Sequence, residues 1–329
     1  MQNWMNFNIN SQFLKLAGIY FLVISMATVP FRIVAQEVNT DISSIQSLID
    51  QADKYLPDQS QEAIAMAAPI LEEVTALGYE EGKIHCLSIL GRAHKYLKNY
   101  TTSLDYFLQA SKELERSGIS EQQTAIQIEI GSLFHTWDAP DKAVEYYLLA
   151  YENINASKDP HLAAKVLGFL GSNYMSLSNR KEAIKYFELL LELNQEQHDQ
   201  PEIFNTLRQL SVIYTANNNY QKAIDCQLQM LELKKAMGQI EGQVVIINSL
   251  GYLYKNQNNN NLALEFFRKS LDLSRKLVNT QPESKEDVIL MNIALIYQAK
   301  GEYGQALQSL FSALKIRTEN GDSLGAGDV

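Results

Sequence analysis

Apolar residues along this chain recur three and four positions apart, the period of a helix with one face against a core. Leu167, Leu170 and Tyr174 mark one such stretch, and Ala183 and Phe187 mark the next. The pattern then repeats along the chain. A small residue in the second stretch of each repeat falls at Ser103, Ala143, Ala183, Ala223, Ala263 and Ala306, so that the first four intervals are equal and the last is slightly longer. The excess is assigned to "VNTQPESK", residues 278–285. Between the two stretches of each repeat stands a turn position: Lys98, Asp138, Ser178, Asn218, Asn258 and Gly301. Asn and Gly there tolerate the left-handed backbone that ends a helix. The pattern predicts an all-α protein of about fourteen helices in antiparallel pairs, with no sheet. "NQNNNN", residues 256–261, falls on a turn and reads as an extended polar connection.

Packing explains the residue choices. Gly171 and Ala183 are small because paired helices must approach closely, and Tyr174 and Phe187 fill the space beside that contact. The same five positions read Leu90, Gly91, His94, Ser103, Phe107 in the first repeat and Leu250, Gly251, Tyr254, Ala263, Phe267 in the fifth. This arrangement resembles the tetratricopeptide repeat family over residues 83 to 320, in six units of about 83–120, 121–160, 161–200, 201–240, 241–280 and 281–320. The departures are His94 and Phe134 at the tyrosine position, Ser211 and Ala294 at the glycine, and Gln227 and Leu310 at the second aromatic. The period, about 40 residues, exceeds the family's usual length of about 34, so each pair is expected to be longer by about a turn. The resemblance implies a right-handed superhelical solenoid. Residues 36–78 read as a degenerate capping pair, in which Ile42, Ile45, Leu48, Ile49, Ala52 and Tyr55 form one amphipathic face and Ala63, Ala67 and Ile70 the next. Residues 321–329 read as a tail or the approach to a further unit.

The N-terminus breaks the pattern. Residues 1–35 contain Lys15 and Arg32 and no acid, and residues 16–29, "LAGIYFLVISMATV", form an apolar run too short for a span of about 20 residues. The run fits the core of a signal peptide cut after Ala35, which predicts an exported, periplasmic or extracytoplasmic chain starting at Gln36; the alternative is an uncleaved N-terminal anchor. The mature chain has no expected membrane span.

Composition and charge narrow the partner. The chain is 46% apolar and 20% charged, as folded soluble proteins are. Its net charge of −10 argues against nucleic acid, which needs a basic footprint. Cys86 and Cys226, far apart along the chain, read as buried small hydrophobes, with a disulfide as the alternative. No Gly-rich phosphate loop, HExxH, CxxC, GxSxG or calcium loop is present. The five histidines show no ligand spacing, and His94 takes a packing position. The chain is therefore expected to be non-enzymatic, with no cofactor or metal.

In the resembling family the first helix of each unit lines a concave groove through four recurring positions. Among them the candidate binding residues are His85, Ser88, Arg92, Lys95, Ser132, His135, Lys165, Met175, Asn205, Arg208, Asn248, Tyr252, Lys255, Met291 and Gln298. None of the recurring positions in the six units is acidic, although the chain has 38 Asp and Glu. The face is neutral to basic in the early units and apolar in the late ones, through Val212, Val245, Val288 and Leu295. This predicts a scaffold for a protein or peptide segment with acidic and apolar residues. The alternative is the extracytoplasmic input region of a signalling protein, a kinase, cyclase or transcriptional regulator, because exported arrays of long repeats resemble such regions.

Overall fold

The computed structural model describes residues 31–117, 120–157, 159–277 and 286–319. These hold fourteen α-helices and no strand. They run as α1 Phe31–Lys54, α2 Ser60–Leu77, α3 Glu80–Tyr96, α4 Tyr100–Ser117, α5 Ser120–Thr136, α6 Pro140–Ser157, α7 Pro160–Ser176, α8 Arg180–Glu196, α9 Gln200–Ala216, α10 Tyr220–Ala236, α11 Ile240–Asn256, α12 Asn260–Leu277, α13 Glu286–Ala299 and α14 Tyr303–Glu319. Odd-numbered helices are the first of each pair and even-numbered helices the second. The segments 1–30, 278–285 and 320–329, and with them the apolar run, the insertion in the last interval and the tail, lie outside the described residues.

The turns inside the pairs are built as the sequence predicts. Lys98, Asp138, Ser178, Asn218, Asn258 and Gly301 all have φ between 57° and 77°. Each leaves one residue before the second helix starts. That residue caps the helix at Asn179, Asn219 and Asn259, whose side-chain oxygens accept the backbone N–H of Glu182, Lys222 and Leu262. Between pairs, Asp159 accepts from the N–H of His161 and Leu162, and Pro160 occupies the first helical position, where no N–H is needed.

Two compact units form, Met1–Ile126 and Gln127–Val329. In the first, the core joins Ile45, Ile49 and Ala52 of α1 to Ala63, Ala67, Ile70 and Val74 of α2 and to Cys86, Ile89, Leu90 and Ala93 of α3. Leu48, expected on that apolar face, points instead to solvent at 42% exposure, since it lies off the centre of the buried row. Helix α1 also begins at Phe31, ahead of the amphipathic run, and passes through Ala35–Gln36. In the second unit, one cluster links Leu264, Phe267 and Leu271 of α12 to Ile289, Leu290, Ile293 and Ile296 of α13 and to Ala306 and Ala313 of α14.

The glycines do more than permit a close approach of backbones. A Cβ placed on Gly91, Gly131, Gly171 or Gly251 would lie 2.6, 2.7, 2.8 or 2.6 Å from the ring of Phe107, Tyr147, Phe187 or Phe267. The aromatic ring of the second helix therefore sits directly on the glycine rather than beside it. The α9–α10 pair departs: Ser211 and Gln227 replace glycine and ring, and Gln227 Nε2 donates to Ser211 Oγ at 2.9 Å. His94, at the tyrosine position, stacks on Tyr106 with centroids 5.5 Å apart, and burial lowers its pKa. Cys86 and Cys226 are free and buried, which pushes their thiols up to about 12 and about 11.

Candidate functional site

The first helices of successive pairs reach one another through side chains about one repeat apart. In the first unit, Arg92 of α3 pairs with Asp53 of α1, and Gln46 Nε2 lies 3.4 Å from His85 Nδ1. In the second unit, His135 Nδ1 is 2.9 Å from Asn173 Oδ1, and Asn292 Nδ2 donates to Asn248 Oδ1 at 3.1 Å. Within each unit these links tie a face made by its odd-numbered helices.

The fifteen candidate residues are not equally available on that face. In the first unit, Lys95 is only 7% exposed, and Arg92 is engaged by Asp53. His85 and Ser88 are half-buried, and Ser88 Oγ donates to the Ile84 carbonyl. The basic end expected from the sequence is thus largely used up inside the fold: Arg92 neutralises a carboxylate one repeat away, and Lys95 lies among buried neighbours. In the second unit Ser132, Met175, Asn248, Lys255 and Met291 are half-buried, whereas His135, Lys165, Asn205, Arg208, Tyr252 and Gln298 are exposed. Arg208 makes no ion pair among the described residues. The Lys255 ammonium lies 5.8 Å from the Tyr252 ring centroid.

Two crevices open on this face of the second unit. One, of about 480 Å³, lies between α7 and α9 above α8. Gly168 helps to form it, because the missing side chain would meet only Leu190, at 3.7 Å. Lys165, Phe169 and Asn205 line it, and so do Asp199 and Glu202, which the four-position reading missed because they lie at the very start of α9. The face is therefore not free of carboxylates. The other crevice, of about 450 Å³, lies between α9 and α11. Val212 and Tyr252 flank it, the Ser211–Gln227 pair forms part of its wall, and Asn248 and Asn292 contribute to its edge. Around it the first helices expose Val212, Val245, Tyr252, Val288 and Leu295, each 42–57% accessible. These large apolar side chains stand in solvent along one face of the second unit. Among the described residues no cluster of His, Cys, Asp and Glu could hold a metal ion, and no helix is long and apolar enough to cross a membrane.

Known proteins share the pattern. Three models described as tetratricopeptide repeat match residues 162–236, 245–284 and 289–324. The chain is 25% identical over 208 residues to lipopolysaccharide assembly protein B of Escherichia coli K12, covering 63% of this chain and 47% of that one. It is 22% identical over 190 residues to tetratricopeptide repeat protein 29 of Trypanosoma brucei brucei, covering 56% and 39%. It thus spans less than half the length of these relatives. The fold resembles apo RapI, with a TM-score of 0.60, 13% identity and coverage of 84% and 77%. It also resembles a signal transduction ATPase with numerous domains and a tetratricopeptide repeat sensor from Pyrococcus horikoshii, with a TM-score of 0.61, 15% identity and coverage of 94% and 47%. Glycine under ring, left-handed turn and a long regular repeat thus recur in a chain whose residues 162–236, 245–284 and 289–324 match the tetratricopeptide repeat.

Proposed function

We propose that this chain is a non-enzymatic scaffold that holds a partner protein segment on the first-helix face of its second unit. The observation that carries the reading is the row of exposed apolar side chains on α9, α11 and α13, with the unpaired Arg208 beside it. Val212, Tyr252 and Leu295 give apolar anchor points, and Arg208 and Lys255 favour a segment whose anchors are interspersed with acidic residues. Charge complementarity of this kind acts on encounter and weakens with salt. The chain captures such a segment from its own host's extract when used as bait. Arg208→Glu combined with Lys255→Glu reduces that capture several-fold at low salt and flattens its salt dependence, while helicity is unchanged. Capture that survives the double reversal at low salt overturns the reading.

A second reading places the same surface in an exported sensor region that feeds an output domain elsewhere in a longer protein. The apolar run at residues 16–29 and the likeness in fold to a protein with a tetratricopeptide repeat sensor support it. The nucleotide sequence downstream of Val329 tests it: an apolar run of about 20 residues followed by an output domain favours the sensor, and a stop codon favours the free scaffold.

A further inference from the structure

Helix α14 carries an apolar ridge that no described element covers. Tyr303, Leu307 and Phe311 stand four residues apart and are 66%, 54% and 66% exposed. Lys315 continues the ridge by one more turn and is itself largely exposed. Beside it runs a shallow depression of about 520 Å³, lined by Gly304, Gln308 and Ser312 as well as by the ridge. In earlier second helices the position of Leu307 is held by Val144, Ile224 and Leu264, which are buried, and by Leu104 and Ile184, which are half-buried, and the next first helix packs on α6, α10 and α12. The position of Phe311 is Leu108, Leu148, Glu188, Leu228 or Arg268 in the other pairs. Only α14 has an aromatic there, and aromatic side chains are the enriched anchors of interfaces between chains.

We infer that this ridge is the seam of a homodimer, in which α14 packs antiparallel on α14 of a second copy. The ridge is complementary to itself. With a two-fold axis near Ser309, Leu307 faces Phe311 of the second copy, and Tyr303 faces its Lys315. The apolar contact and the cation–π contact then each form twice, as an isologous interface requires. The ridge follows i±4 spacing, which interdigitates with an identical ridge on a facing helix. Gly304 has open space where a Cβ would stand, so the second copy's Leu314 can approach the backbone there. Head-to-tail stacking fits poorly. Helix α1, the first of the described helices, turns Ser43, Ser44, Ser47, Asp50, Gln51 and Lys54 to solvent, with Leu48 as the one large apolar group beside them among its described side chains.

A single helix pair lies at the low end of interface size, so the dimer dissociates on dilution, between about 1 and 200 µM. Sedimentation velocity over that range reads it directly. The unmodified chain moves from monomer to dimer, and Leu307→Glu with Phe311→Glu stays monomeric with unchanged circular dichroism. Gln308→Cys gives a disulfide-linked dimer under mild oxidation, whereas Lys181→Cys on α8 does not; buried Cys86 and Cys226 leave that background low. A monomer at every concentration, or a dimer that survives the double variant, overturns the proposal. So does a monomer whose Tm drops on Leu307→Glu, which would mean that the chain itself covers the ridge.

Discussion

Two glycines three residues apart on α7 answer to opposite demands. Gly171 lies under the Phe187 ring, and any Cβ there meets that ring at 2.8 Å. Gly168 faces a crevice, with Leu190 at 3.7 Å as its one near neighbour. Gly171→Ala therefore forces the ring and the helix pair apart, at about 1–3 kcal/mol. Gly168→Ala removes backbone freedom from the unfolded chain and gains about 0.5–1 kcal/mol. Urea unfolding midpoints of the two variants should move in opposite directions, and a shift in the same direction would refute the packing account. The sequence showed the first glycine clearly, because the partner ring recurs four residues after the small residue in several pairs. It did not separate the second from it, because an open crevice leaves no complementary residue to read. The fate of Arg92 was hidden for a related reason: its partner, Asp53, comes from a neighbouring pair, and periodicity within one helix does not register it.

Among the helix pairs, α9–α10 is an odd one. Its contact is a hydrogen bond from Gln227 to Ser211, where α3–α4, α5–α6, α7–α8 and α11–α12 have a ring on glycine. Such a polar pair adds little net stability, but removing one partner leaves the other unsatisfied. Ser211→Gly alone should cost about 1–3 kcal/mol, and Gln227→Phe alone should overpack against the serine. Made together, they should restore the ring-on-glycine contact and leave the chain at least as stable as the unmodified one. Thermal unfolding of the three variants tests this, and additive losses would mean that the two positions do not communicate. The departure was legible in the sequence as two breaks in the pattern. That they answer each other was not, since they lie on different helices and only the turn brings them opposite.

From Glu80 on, the number and pairing of the described helices followed from period alone, because each pair repeats the same local solution and neighbours supply the rest. The N-terminus had no such redundancy. The reading there rests on an apolar run and on Ala35, and it makes one sharp prediction: intact-mass analysis of protein made in its own host finds Gln36 as the first residue. A mass that retains residues 1–35 would mean an anchor instead. The left-handed turns have one more consequence, for heredity. Ser178 and Asn258 have the same backbone conformation, stand two repeats apart, and each precedes an asparagine that caps the following helix. A deletion or duplication running from one to the other rejoins like with like: the same bend, the same cap and the same order of small and large residues ahead. The gene can therefore lengthen or shorten its product in cassettes of two helix pairs without a new fold having to be found.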